Sequence, residues 1–89
     1  MAEDLPGRTL LQAIKNSPME VRECLKDYAK YPTERNGCYF AGFIEACVKL
    51  KHLSDESYGS LLAVSAHGTM KKYAPSILTY LGQLGDGNG

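Results

Sequence analysis

The chain has 89 residues, enough for one domain with a single core and too few for two. Its ten basic and ten acidic side chains cancel, so no overall field attracts nucleic acid or an anionic membrane. An apolar fraction of 44% excludes wholesale disorder. Three cysteines at irregular spacing are typical of a reduced, cytoplasmic protein, and no apolar run is long enough for a signal peptide or a membrane span.

The first part of the chain predicts a loose arm and two helices. Residues 1–7 include Pro6 and Gly7 and offer little to bury, so we expect a flexible arm there. A short helix is predicted over residues 9–15. Ser17-Pro18-Met19-Glu20 then matches a capping box with proline at the first helical position. The apolar stripe of this second helix runs from Val21 to Tyr28, and Pro32 ends the helix because it disfavours helical geometry at the residue before it.

A tight turn at His52-Leu53-Ser54 joins two amphipathic helices that we predict to be the centre of the fold. Ser54 can cap the second of them, and Leu53 and Tyr58 occupy the two positions of a hydrophobic staple. A short loop between two such helices favours an antiparallel hairpin. The apolar positions that recur at helical spacing are Phe40, Phe43, Ile44, Cys47 and Val48 before the turn, and Tyr58, Leu61, Leu62 and Ser65 after it.

The end of the fourth helix is ambiguous in the sequence. Gly68 could stop it, or it could continue to Tyr73 and stop before Pro75, and we favour continuation. A last short helix is predicted over residues 75–81, followed by a disordered, glycine-rich tail over residues 82–89. The sequence thus predicts an all-α fold, a compact bundle of four to five short helices around the central antiparallel hairpin, with residues 8–81 as its single domain.

We find no pattern typical of a metal site, a cofactor site or a catalytic site. Zinc ligands usually come in closely spaced pairs, whereas the three cysteines lie fourteen and nine residues apart and the two histidines are isolated. Ser65 and His67 are two residues apart, a spacing that turns them to different sides of a helix, and Ser65 is expected to bond a carbonyl of the preceding turn. We therefore expect no metal, no cofactor and no enzymatic activity.

Nucleic-acid binding is the alternative function. Lysines and histidines near the ends of the later helices give a mild basic bias, and a helix-turn-helix could be sought around Gly68 with residues 75–81 as the reading helix. That segment has no Arg, Lys, Asn or Gln to contact base edges, and the cations already complement the helix dipoles. A nucleic-acid-binding regulator is therefore the weaker hypothesis.

The aromatic residues near Pro32 predict a protein-binding surface. Tyr31, held extended by Pro32, leaves the stripe of its helix, and Tyr39 can join the face of Phe43 with its hydroxyl near solvent. Arg35 lies in the polar turn between them. Tyrosine and arginine often anchor interfaces, so Tyr31, Arg35 and Tyr39 are the candidate partner-binding residues.

These observations favour a small, non-catalytic module that binds and modulates or inhibits a larger protein. The partner is expected to be another protein, a second copy of this chain, or both, because dimerisation extends the small core of such a domain. Phage- and plasmid-encoded inhibitors of host defence are often small, neutral and free of cofactors, and they supply a working hypothesis for the class of protein.

Overall fold

A computed structural model describes residues 7–85, and those residues are all-helical. Predictions for residues 1–6 and 86–89, most of the arm and part of the tail, lie outside the described residues. Residues 7–85 form five α-helices, with a 3-10 turn at Ala63–Ser65 between the fourth and the fifth. Their bounds are α1 Arg8–Lys15, α2 Met19–Lys30, α3 Glu34–Lys49, α4 Asp55–Leu62 and α5 His67–Gln83. The predicted all-α bundle is confirmed.

The helices pack in pairs around α3. Helix α1 lies against α4 and α2 lies against α5, while α3 contacts α2, α4 and α5. Phe40 and Ile44 of α3 are completely buried, whereas Phe43, which the apolar spacing also placed in the stripe, is only partly buried. The remaining large side chains that are completely buried come from the other four helices and the 3-10 turn: Ile14, Val21, Leu25, Leu61, Val64, Met70, Ile77 and Leu81.

The turn between α3 and α4 follows the sequence signals closely. The Ser54 hydroxyl accepts a hydrogen bond of 3.1 Å from the Ser57 amide, which confirms the predicted cap, and Leu53 is buried. The carboxyl end of α3 closes with bonds from the Lys51 amide to the Val48 carbonyl and from the His52 amide to the Cys47 carbonyl. Lys51 has a φ of +65° there, the left-handed conformation that glycine usually supplies at this position.

The start of α2 differs from the predicted capping box. Pro18 precedes the first helical residue and no side chain caps the helix. The Ser17 hydroxyl instead donates a buried hydrogen bond of 2.6 Å to the Ala13 carbonyl in the last turn of α1. The hydroxyl therefore closes the end of α1, and it does not cap α2.

The two predicted ends of the fourth helix are both wrong, because α4 stops at Leu62, well before Gly68. The Tyr28 hydroxyl lies within hydrogen-bond distance of two carbonyls of the 3-10 turn, at 2.6 Å from Val64 and 3.0 Å from Ser65. Ala66 is then extended, with φ −71° and ψ 117°, before α5 begins. A contact from α2, distant in sequence, thus satisfies carbonyls at the point where the helix ends.

Helix α5 passes through Pro75, so the predicted separate helix over residues 75–81 is wrong. Proline leaves the carbonyl four residues earlier without its helical partner, but Lys71 and Pro75 are both exposed, so that carbonyl lies on the solvent side. The helix ends at Gln83, two residues past the predicted domain boundary, and Leu84 packs against the core. One continuous helix also replaces the helix-turn-helix sought around Gly68.

Candidate partner-binding groove

The predicted tyrosines lie close together at the junction of α2 and α3. Tyr31 follows the last residue of α2 and Tyr39 lies in the second turn of α3, and their side chains are 69% and 67% exposed. Together they line an open groove of about 600 Å³. We call it the α2–α3 groove; its lining residues are Glu20, Glu23, Cys24, Asp27, Tyr28, Tyr31, Asn36, Tyr39 and Phe43.

Arg35 differs from its predicted position. It lies in the first turn of α3, because the Thr33 hydroxyl caps the helix by accepting a hydrogen bond of 3.1 Å from the Asn36 amide. Arg35 is exposed but does not line the groove. Since it precedes Tyr39 by four residues on the same helix, the two side chains are neighbours, and Arg35 belongs to the rim of the surface.

The backbone of Tyr31 is held in place although its side chain is exposed. Its amide donates to the Tyr28 carbonyl at 3.1 Å, and its own carbonyl accepts from the Thr33 amide and the Asn36 side-chain amide, both at 2.8 Å. A ring presented from a fixed backbone loses less conformational entropy when a partner covers it. Asn36 was not predicted as a site residue, because its role depends on a bond back across the turn.

Tyr39 packs on Phe43 and not into the core. The two rings are stacked, with centroids 6.3 Å apart and planes at 21°. The expectation that Tyr39 would lie along the inward face of α3 is therefore only partly right, since two thirds of the side chain is exposed. The pair forms an apolar wall on the α3 side of the groove.

The α2 side of the groove is acidic. Glu20, Glu23 and Asp27 are exposed, and their spacing of three and seven residues places them on one side of the helix. Between described residues, the ion pair present is that of Lys49 with Glu45, near the other end of α3.

Cys24 lies in the groove as a protonated thiol. Burial, followed by the charges of Asp27 and Cys47, raises its pKa from 9.0 to about 11. Burial, with a smaller effect of Glu20, also raises the pKa of Cys47. Since the thiolate is the reactive and metal-binding form, neither sulfur is prepared for nucleophilic attack or ligation at neutral pH.

Other parts of the described chain give weaker candidates. A cavity of about 270 Å³ between α1 and α4 and one of about 360 Å³ at the α3–α4 turn have no aromatic lining. Residues 7–85 contain no group of three or more His, Cys, Asp or Glu that could hold a metal ion, and the absence of metal stays a prediction. The Ser65 hydroxyl donates to the Leu62 carbonyl at 2.7 Å, as expected.

Comparison with known proteins identifies no relative of this chain. Neither a protein family, nor a curated protein, nor a solved structure matches this chain. Within the described residues, no helix is both long enough and apolar enough to cross a membrane.

Proposed function

We propose that this protein is a small, non-catalytic binding module whose α2–α3 groove docks onto a larger protein and modulates or inhibits it. One observation carries the proposal: Tyr31 and Tyr39, separated by a turn, expose about two thirds of their side chains beside the same groove. Large rings on a well-fixed backbone are the usual anchors of protein interfaces.

The state of the cysteines favours a cytoplasmic protein. Cys24 and Cys47 remain protonated thiols at neutral pH, which suits a protein that works reduced in the cytoplasm, without metal or cofactor. An inhibitor of host defence carried by a phage or plasmid is one protein of this kind. Arg35, on the rim, supplies a planar cation that can fork onto a carboxylate of the partner.

Affinity capture from the native host at moderate salt, with partners identified by mass spectrometry, tests the proposal. The parent protein and the variants Tyr31→Ala and Tyr39→Ala are used as baits in parallel. We expect a partner that binds the parent and is lost with both variants, each of which weakens binding by more than about 1 kcal/mol. Arg35→Ala is expected to weaken binding less, because its side chain lies outside the groove.

Leu50→Ala is the control, because Leu50 is also an exposed apolar residue, at 65%, but follows the opposite end of α3. Binding by this variant should equal that of the parent, and the melting temperatures of all variants should stay close together. If the tyrosine variants bind as the parent does, or lose stability and binding together, the groove is not the docking site. A partner that proves to be nucleic acid, with affinity falling steeply with salt, would favour the alternative function.

A further inference from the structure

The α2–α3 groove combines an apolar wall with an acidic one. Tyr31, Tyr39 and Phe43 supply apolar surface, and none of the nine lining residues is Lys, Arg or His. The carboxylates of Glu20, Glu23 and Asp27 have no ion pair with a described side chain, since the described pair lies elsewhere on α3. The groove therefore presents three carboxylates, with no cationic side chain among its lining residues, beside exposed rings.

The dimensions of this arrangement suit a helical segment. On the α2 side the lining residues run from Glu20 to Tyr31, which directly follows the helix, and these eleven residue steps span about 16 Å along the helix axis. Glu20 and Asp27 are about 10 Å apart along the same axis. A partner helix of three turns covers the same length and can carry cations at matching positions beside an apolar stripe.

We propose that the groove binds a basic amphipathic segment of another protein. Apolar side chains of this segment pack on Tyr31, Tyr39 and Phe43, and its Lys or Arg side chains face Glu20, Glu23 and Asp27. The inference rests on the proposed function and specifies the chemistry of the partner.

The negative charge of the groove also argues against a second copy of this chain, nucleic acid or an anionic membrane as its ligand. A second copy related by a twofold axis would bring the same patch of each protomer together, so six carboxylates would share an interface whose groove lining holds no cation. Phosphate groups of nucleic acid or of an anionic membrane would meet the same repulsion. The negative field is felt within the groove, where the charge of Asp27 adds to burial in raising the pKa of Cys24.

The test uses a phage-displayed library of random 16-residue peptides selected on three forms of the full chain. The first is the parent, and the second has its groove neutralised by Glu20→Gln, Glu23→Gln and Asp27→Asn. The third is a matched control, and it removes the same number and types of charge at exposed sites outside the groove: Glu45→Gln, Asp55→Asn and Glu56→Gln. The groove variant loses one acidic residue from a first helical turn, whereas the control loses two and also the exposed Glu45–Lys49 ion pair, so the control should be slightly the less stable of the two.

We expect the parent and the control to select peptides with Lys or Arg next to apolar residues at helical spacing. A synthetic peptide of this selected sequence should bind the groove-neutralised variant about tenfold more weakly, if each of three exposed ion pairs contributes its usual fraction of a kcal/mol. Its affinity for the control should stay within about twofold of the parent, and raising the salt should weaken binding to the parent more than to the neutralised variant.

Three outcomes contradict the inference, and they have different consequences for the proposed function. Selected peptides that lack a cationic bias but lose binding on Tyr31→Ala would overturn the basic partner and leave the docking groove standing. A library in which no peptide depends on Tyr31 or Tyr39 would overturn both proposals. Sedimentation that shows a parent dimer dissociated by Tyr31→Ala would assign the groove to a second copy.

Discussion

Gly37→Ala tests the close approach of α3 to the 3-10 turn and to Tyr28 of α2. Gly37 lies in the first part of α3 and is buried against the 3-10 turn. A Cβ at this position would clash with the backbone carbonyl oxygen of Ser65 and would lie 2.8 Å from the Tyr28 hydroxyl. Neither neighbour can yield easily, because one is backbone and the other is held by the Val64 carbonyl at 2.6 Å.

The cost can be worked from these contacts. Forcing a methyl group into a packed site costs about 1–3 kcal/mol, and each hydrogen bond of Tyr28 that is lost costs about 1 kcal/mol more. Replacing a helical glycine by alanine returns about 1 kcal/mol of helix propensity. We therefore expect Gly37→Ala to lower the free energy of unfolding by about 2–3 kcal/mol, or the melting temperature by 10 °C or more.

Gly42→Ala is the matched control on the same helix. Gly42 is exposed and a Cβ there meets no heavy atom within 4 Å, so this variant should be about 1 kcal/mol more stable than the parent. Urea titration followed by far-ultraviolet circular dichroism measures both variants. Equal stabilisation by the two substitutions would refute the tight packing of α3 against the Tyr28 hydroxyl and the 3-10 turn.

Three further predictions concern the free energy of unfolding. Phe40→Ala should cost about 3–5 kcal/mol and Phe43→Ala clearly less, since Phe40 alone of the two is fully buried; equal costs would contradict this. Lys51→Gly should stabilise the protein by about 0.5–1 kcal/mol, because glycine adopts the positive φ of this position without strain. Lys71→Gly, at an exposed position of α5, should instead cost about 1 kcal/mol. Folding raises the pKa of Cys24 from 9.0 to about 11, so stability should be full below pH 9 and fall as pH rises towards 11, as urea titrations at each pH would show.

Most of the fold could be predicted because it depends on local signals. Helical spacing of apolar residues located α1, α2 and α3, and Pro32 marked the end of α2. Ser54 and Leu53 defined the turn into α4, and the structure places both as expected. These signals act within a few residues of one another, so a sequence contains them completely.

The errors share a physical cause, which is an interaction from outside the local window. Gly68 and Pro75 are strong helix breakers, yet both lie inside α5, where packing against α2 outweighs intrinsic preference. The helix ends instead at Leu62, where the hydroxyl of a residue more than thirty positions earlier reaches the carbonyls of Val64 and Ser65. Ser17 is the exception, because its hydroxyl bonds to the Ala13 carbonyl only four residues earlier and so does not take its predicted role as a cap.

The candidate site was predictable in its aromatic part only. Tyr31 could be placed at the surface because it leaves the stripe of its helix, and the hydroxyl of Tyr39 was expected near solvent; both residues are exposed. The acidic wall became visible only when α2 and α3 lay side by side, since neither helix alone tells which of its faces borders a groove.

Tyr28 connects the groove to the core, and this connection decides where binding and stability can be separated. Its ring lines the groove and lies 5.5 Å from that of Phe40, while its hydroxyl holds the 3-10 turn. Burial, with a smaller effect of Cys38, raises its pKa to about 12, so the hydroxyl stays a donor at any physiological pH. Substituting Tyr28 would therefore change the fold and the groove together. The exposed side chains of Tyr31 and Tyr39 can be truncated without disturbing the packing beneath them.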